Sequence, residues 1–395
     1  MEIEKKSEKK FHTKNQHYVP QFYFRKFSID GKNVGLYNIS SKKIVPNAPI
    51  KHQCSEDYFY GENGVVETAL SALEGRFSNL FNKLEQVNTS ESLPKSMRKN
   101  NTLEKIFTKE DFSDLVLFIL IQYTRTKTVQ KVTDEFLHET LRVILKKEGK
   151  PYSESELVKL SLKDSVIHAI QQAIILRPLL HDLKYAVLVN ESGTDFLFSD
   201  EPVVFQNPLM EKYSKSACVG VASHGLQIYF PISPTRMVCF YDSSVYTFKK
   251  QIMSVRSPKD VDALNILQIM SCLSNVYYKQ GGVSKEYIES LLPQIVGKTT
   301  ELVHSGPLIG TQNVVVHVQA KPIHISLKLE CFTIKNAALK DMFNASQGND
   351  LQKLNGYHRD EYLLHLLEDF SKKIEEKKYK PTEWSEFLDD IKKGA

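Results

Sequence analysis

Apolar residues recur at Val66, Ala69, Leu70, Leu73, Phe77, Leu80, Phe81 and Leu84. Steps of three and four gather them into one stripe, so a helix is predicted over Val65 to Leu84 with that stripe facing a core. A longer helical stretch is predicted from Lys109 to about Lys147. Thr108 can cap it, Glu110 and Asp111 suit the positive end of its dipole, and Leu115 to Ile121 is apolar on every side, which marks the centre of the helical core. Gly149-Lys150-Pro151 ends that stretch, and another helix is expected from Ser155 to about Leu176, stopping near Arg177-Pro178.

The period then shortens. Tyr185 to Val189 reads as a strand, Glu191 to Thr194 as a turn, and Phe196 to Phe198 as a returning strand. That strand stops at Asp200, because Pro202 cannot donate to a ladder. Val203 to Phe205, Leu226 to Pro231 and Met237 to Tyr241 supply more strands, and Val34 to Asn38 with Lys43 to Val45 reads as a small hairpin. Ser257-Pro258 opens a helix expected to reach about Tyr278. Lys285 to Ile295 reads as a short helix, Val314 to Val318 and His324 to Leu329 as strands, and His358 to Ile374 as a helix. The fold expected is α+β, a helical layer packed on a mostly antiparallel sheet. The chain divides into a polar, disordered tail over 1–14, a single core domain over 15–299, and C-terminal strands with a helical appendage over 300–395. In that appendage Gly348-Asn349-Asp350 and the tail are read as less stable.

Composition narrows the classes. A chain of 395 residues has ample length to bury a core, and 52 basic against 47 acidic residues leave a charge of only +5. Such an excess permits a nucleic-acid partner without arguing for one, because binding follows clustered charge rather than the sum. The five cysteines, Cys54, Cys218, Cys239, Cys272 and Cys331, show no CxxC spacing, which argues against a disulfide framework or a thiolate zinc site and for a reducing cytosol. Met1 to Lys10 lacks the apolar core of a signal peptide, and Leu115 to Ile121, the longest apolar run, is far short of the roughly 20 residues a bilayer requires. A cytoplasmic protein with no membrane partner is expected.

Candidate chemistry centres on Asp200 within Ser199-Asp200-Glu201-Pro202. An acid at a strand end can be a metal ligand or general base, or a turn aspartate bonded to nearby backbone amides. His17, in the aromatic stretch from Asn15 to Phe27, can move a proton or simply pack. Glu67 and Glu74, two turns apart on one helix side, can hold a divalent metal with Asp200 or stand solvated. Gln122 and Arg125 follow the wholly apolar run, so a buried Arg125 needs an anion: Asp200, Glu67 or a phosphate. Gln122, Tyr18 and His224, the last before the strand at Leu226, are candidate substrate contacts. No P-loop, GxGxxG, GxSxG or HExxH pattern occurs. A restriction-type nuclease core would need Glu-x-Lys after the acid, and Gln227-Ile228-Tyr229 lacks it.

The order of His17-Tyr18-Val19-Pro20-Gln21-Phe22-Tyr23, Gln122-Tyr123-x-Arg125-Thr126, Ser199-Asp200-x-Pro202-Val203 and Phe230-Pro231-Ile232-Ser233-Pro234 resembles the bacterial family called domain of unknown function 4238. The likeness spans roughly Asn15 to Tyr278, with Glu201 where the family often has Asn and Ile232 where Leu is usual. It implies a setting in bacterial anti-phage defence loci and carries no settled activity. The function expected is therefore a defence effector acting on RNA or DNA as a metal-dependent nuclease. Asp200 and Glu67, with Glu74, would hold Mg²⁺, His17 would handle a proton, and Arg125 would contact the phosphate. The alternative is a non-enzymatic sensor that binds a phage-encoded trigger or a nucleotide in the same place.

Overall fold

A computed structural model describes residues 14–98, 101–160, 165–210, 219–294, 302–307, 314–319, 329–347 and 358–394. The N-terminal third carries β1 (Asn15–His17), α1 (Gln21–Phe24), β2 (Asn33–Asn38), β3 (Lys43–Pro49), β4 (Ser55–Asp57) and α2 (Val65–Glu85). Helices follow: α3 (Lys95–Arg98), α4 (Leu103–Ile106), α5 (Lys109–Thr124), α6 (Lys127–Lys147), α7 (Glu154–Leu160) and α8 (Ser165–Leu176). The next part is mainly strand, with β5 (Lys184–Asn190), β6 (Phe198–Ser199), β7 (Val204–Gln206), β8 (Gln227–Ser233), β9 (Arg236–Tyr241), β10 (Tyr246–Phe248) and β11 (Ile252–Val255). It closes with α9 (Pro258–Ser271), β12 (Asn275–Tyr278) and α10 (Lys285–Leu291). Last come β13 (Leu302–Pro307), β14 (Val314–Gln319), β15 (Phe332–Ile334), α11 (Asn336–Gln347), α12 (Glu361–Glu375) and α13 (Trp384–Gly394).

The fold is α+β. Two sheets carry it: a five-stranded one in the order β11-β5-β9-β8-β7 and a four-stranded one in the order β3-β2-β12-β6. Every pairing in them is antiparallel except β11 with β5. The stripe on α2 buries Leu70, Phe77, Leu80, Phe81 and Leu84 as its spacing demands, and α5 lays its apolar run beside it. Phe81 and Phe118 meet edge-to-face at 4.8 Å between centroids, and burying rings of this size contributes on the order of 2–3 kcal/mol each. Tyr23 of α1 wedges between the sheets, 4.9 Å from Phe230 and 5.0 Å from Phe198. Its hydroxyl donates to the Pro231 carbonyl at 2.7 Å, beside the register shift between Pro231 and Ser233. The aromatic opening of the chain is thus the pin that joins helices to both sheets.

Three elements differ from the sequence reading. The helical stretch from Lys109 is two helices: Arg125, at φ −91° and ψ 24°, leaves the α5 path, and the Thr126 side chain accepts the Val129 amide as the N-cap of α6. Thr124 meanwhile turns its hydroxyl back onto the Leu120 and Ile121 carbonyls. Two threonines that bond the backbone locally are what separate the helices. Phe196 to Phe198 does not return against β5. The chain crosses to the other sheet, where β6 pairs with β12, and the Leu197 amide is taken by the Asn265 side chain instead of a ladder partner. Finally, α9 stops at Ser271, and Asn275–Tyr278 is strand rather than helix. Most of the strand expected over His324 to Leu329, the turn at Gly348-Asn349-Asp350, and all of the 1–14 tail except Lys14 lie outside the described residues.

The four described cysteines, Cys54, Cys239, Cys272 and Cys331, are buried. Among the described residues no helix is long and apolar enough to cross a membrane. Beyond the sheets, β15 pairs with β10, and α12 and α13 bury Leu367, Phe370 and Phe387 against Ile175 and Leu179 beside α8.

Candidate functional site

Asp200 sits where β6 ends, and its carboxylate is fully committed. Oδ1 accepts the Leu273 amide at 2.8 Å, and Oδ2 accepts those of Ser274 and Asn275 at 2.9 and 3.0 Å. The Leu273 and Ser274 amides belong to the turn between α9 and β12 and that of Asn275 to the first residue of β12, and the side chain supplies the acceptors they lack. Gln268 of α9 holds the Ser199–Pro202 segment that carries Asp200, accepting the Ser199 amide and donating to the Pro202 carbonyl. Asp200 is 3% exposed. Burial pushes its carboxyl up to about 6, against the opposing pull of the amides. The group is a clamp between two elements. Three amide hydrogens converge on the oxygens a cation would need, so Asp200 does not fit as a metal ligand in this arrangement.

A second cluster gathers most of the other candidates. Its centre is Arg125, placed at the break between α5 and α6 and only 2% exposed. Nε and Nη2 both donate to Gln122 Oε1, at 3.0 and 2.8 Å. Gln122 is held in turn by its own amide, which donates to the Tyr18 carbonyl at 3.1 Å. The guanidinium also hydrogen-bonds the Tyr60 side chain, whose hydroxyl donates to the His17 carbonyl at 3.1 Å. Gln16, fully buried, fixes that loop by accepting the Tyr60 amide and donating to the Gly61 carbonyl.

Around this centre lie His17, Glu67 and Glu74, all half-buried. Burial lowers the His17 imidazole below its usual value, a hydrogen bond with the Lys51 backbone opposes this, and the Arg125 charge lowers it further. Its Nε2 stands 3.3 Å from the Gln21 amide nitrogen, and the Gln21 carbonyl oxygen accepts from Arg25 at 3.1 Å. That chain orients Gln21 to donate to His17, which keeps the Nε2 lone pair on a neutral ring. Glu67 and Glu74 are both raised above the ordinary carboxylate value, chiefly by burial. The Glu74 charge adds to the rise at Glu67, and Arg125 opposes it at both. Among the described residues neither glutamate approaches Arg125 as an ion pair within 4 Å. Arg125 is therefore a buried cation whose direct partners are neutral.

The remaining candidates stand elsewhere. His224 Nδ1 lies 3.4 Å from the buried Asp242, which also accepts the Gly225 amide, so its setting is the start of β8. Tyr18 packs its ring on Phe59 at 5.2 Å and under Lys127. It contributes its carbonyl, not its hydroxyl, to the Arg125 cluster. Among the described residues no three His, Cys, Asp or Glu side chains group to hold a metal ion. The sequence reading did not include Tyr60, Gln21, Gln16 or Arg25. Gln21 lies in the motif that opens at His17 and Gln16 directly precedes it, which was the available signal, whereas Tyr60 is brought in only by the β1–β4 pairing.

These residues fall in the part of the chain shared with known sequences. The family model described as protein of unknown function (DUF4238) matches residues 15–282, well over half of the 395. The chain belongs to the DUF4238 family. No curated protein and no solved structure matches it. All of the Arg125 cluster and the Asp200 clamp lie inside the matched region of this DUF4238 protein, while β13 to β15 and α11 to α13 lie beyond it.

Proposed function

We propose that this DUF4238 protein is an anti-phage defence effector that cleaves RNA at the Arg125 cluster. The observation that supports the reading most is Arg125 itself. A guanidinium 2% exposed with only neutral hydrogen-bond partners is a costly arrangement, completed when an anion docks. A phosphodiester supplies that anion and matches the forked donors.

The neighbours suit acid–base chemistry. His17, held neutral, takes the proton of a ribose 2′-hydroxyl when that hydroxyl replaces the Gln21 amide at Nε2. The 2′-oxygen forms a bond to phosphorus, and negative charge grows on the non-bridging oxygens beside Arg125. Glu67 or Glu74, whose burial favours the protonated carboxyl, gives a proton to the departing 5′-oxygen as its bond to phosphorus breaks. The products are a 2′,3′-cyclic phosphate and a 5′-hydroxyl, with no water or metal entering the step. RNA rather than DNA follows, since the nucleophile is the 2′-hydroxyl. Magnesium keeps only the Glu67 and Glu74 pair of the three acids expected to hold it.

Purified protein incubated with RNA and with DNA, each in Mg²⁺ and in EDTA, tests the proposal. RNA cut in EDTA with DNA intact is the expected outcome. Cleavage abolished by EDTA would assign the glutamates to a metal instead. Neither polymer cut in either condition would contradict the enzyme reading and favour a sensor of a phage-encoded trigger.

A further inference from the structure

At the C-terminal end of α8 stands a second arginine without a counter-ion. Arg177 is half-buried and makes no hydrogen bond or ion pair among the described residues. Burial is the main influence on it, and the charges it feels through space are Asp114 and Arg76. Those two already pair with each other, so Arg177 is left as an unmatched cation.

Arg177 lines a cavity of about 450 Å³ between the segment Ile174–Asp182 and the helices α12 and α13. Trp384, Tyr362, Leu363 and Leu388 supply its apolar wall. Two acids also line it, and both are engaged. Asp182 takes a forked pair of bonds from Arg359, and Asp360 accepts the Leu363 amide as the cap of α12. What the cavity presents to a guest is the unpaired Arg177 guanidinium, the His181 imidazole and an aromatic wall. Its volume falls within the range of small-molecule sites.

We infer that this cavity binds a small planar organic anion, its charged group on Arg177 and its ring against Trp384. An occupant would bridge the family-matched core and the C-terminal helices that lie beyond it. It would do so at α8, which packs on α5, the helix that carries Gln122 and ends at Arg125.

Trp384 is the only tryptophan of the chain, so every energy-transfer signal starts from the wall of this cavity and the Arg177 variants decide whether the dye sits in it. The probes are anilinonaphthalene sulfonate, an anion built on a planar naphthalene, and phenylnaphthylamine, the same ring system without the sulfonate. The full-length protein is expected to bind the sulfonate saturably, with energy transfer from Trp384, at least about tenfold tighter than the amine. Arg177→Met should remove that advantage while leaving amine binding and the melting temperature unchanged, and Arg177→Lys should retain most of it. Equal affinity of the two dyes for the wild type would overturn the inference, and that comparison needs no variant to fold. Sulfonate binding unaltered in Arg177→Met, or without quenching of Trp384, would overturn it as well.

Discussion

Asp200 and Arg125 are both buried charged side chains, and the molecule handles them in opposite ways. Asp200 has every lone pair it needs filled by backbone amides, and it acts as a structural clamp on the turn before β12. Replacing it with Asn leaves one acceptor oxygen, which can keep the Ser274 and Asn275 amides that share Oδ2, so the Leu273 amide loses its partner at a cost of about 1–3 kcal/mol. The same residue gives a signed pH dependence. With its carboxyl at about 6 in the folded state, the folded protein binds a proton there that the unfolded chain has already lost above pH ~4. Its contribution is present at low pH and fades as pH rises through about 6, by on the order of 3 kcal/mol. Denaturant titrations from pH 4 to 6.5 should therefore show wild-type stability declining relative to Asp200→Asn over that window. Parallel curves for the two proteins would contradict it. His17 and the glutamates make a second prediction. An imidazole lowered from 6.5 and carboxyls raised from 4.5 put the window of neutral base and protonated acid below neutrality. The rate of RNA cleavage should peak on the acid side of pH 7, and His17→Ala should abolish the acid limb.

At the scale of elements, the decisive feature is the interruption that puts Arg125 between two helices. Thr126→Ala removes the α6 cap and should cost about 1 kcal/mol by thermal unfolding. Cleavage should fall further than that stability loss explains, because Arg125 loses the turn that aims it. An unchanged rate would mean that Gln122 alone positions the guanidinium. The interruption was hidden because Thr124, Arg125 and Thr126 carry no glycine or proline, and only the capping preference of threonine hinted at it. The amphipathic period of α2 was plain in the sequence, since one face of a long helix repeats its demand at every turn. So were the strands from Tyr185, Leu226 and Met237, whose apolar runs are buried apart from the half-buried Tyr185. The partner of β6 was not readable. Two residues cannot specify which sheet they join, and the choice is made by Asn265, Gln268 and the turn that Asp200 clamps. The same limit explains the site: glutamates seven apart declare a shared face, but only β1 pairing with β4 brings Tyr60 to Arg125.

Over the whole molecule, the C-terminal helices are packed onto the core. Arg359, its side chain 5% exposed, joins them through Asp182 and the carbonyls of Leu179, Val221 and Ser223. Arg359→Ala leaves those acceptors short and should destabilise the protein by about 2–4 kcal/mol in chemical unfolding. A loss below about 0.5 kcal/mol would show that the hydrophobic contacts of Phe370 and Phe387 hold the helices unaided. The Arg125 cluster itself draws on β1, α1, β4, α2 and α5, so its chemistry is a property of the assembled core rather than of any one motif. The most direct measurement is the rate of RNA cleavage in EDTA by the wild type and by Arg125→Met, with the new ends analysed. The account expects 2′,3′-cyclic phosphate ends from the wild type and a fall of about 10²–10³-fold in a folded Arg125→Met protein. Equal rates for the two proteins, or a wild type that leaves RNA intact, would contradict it.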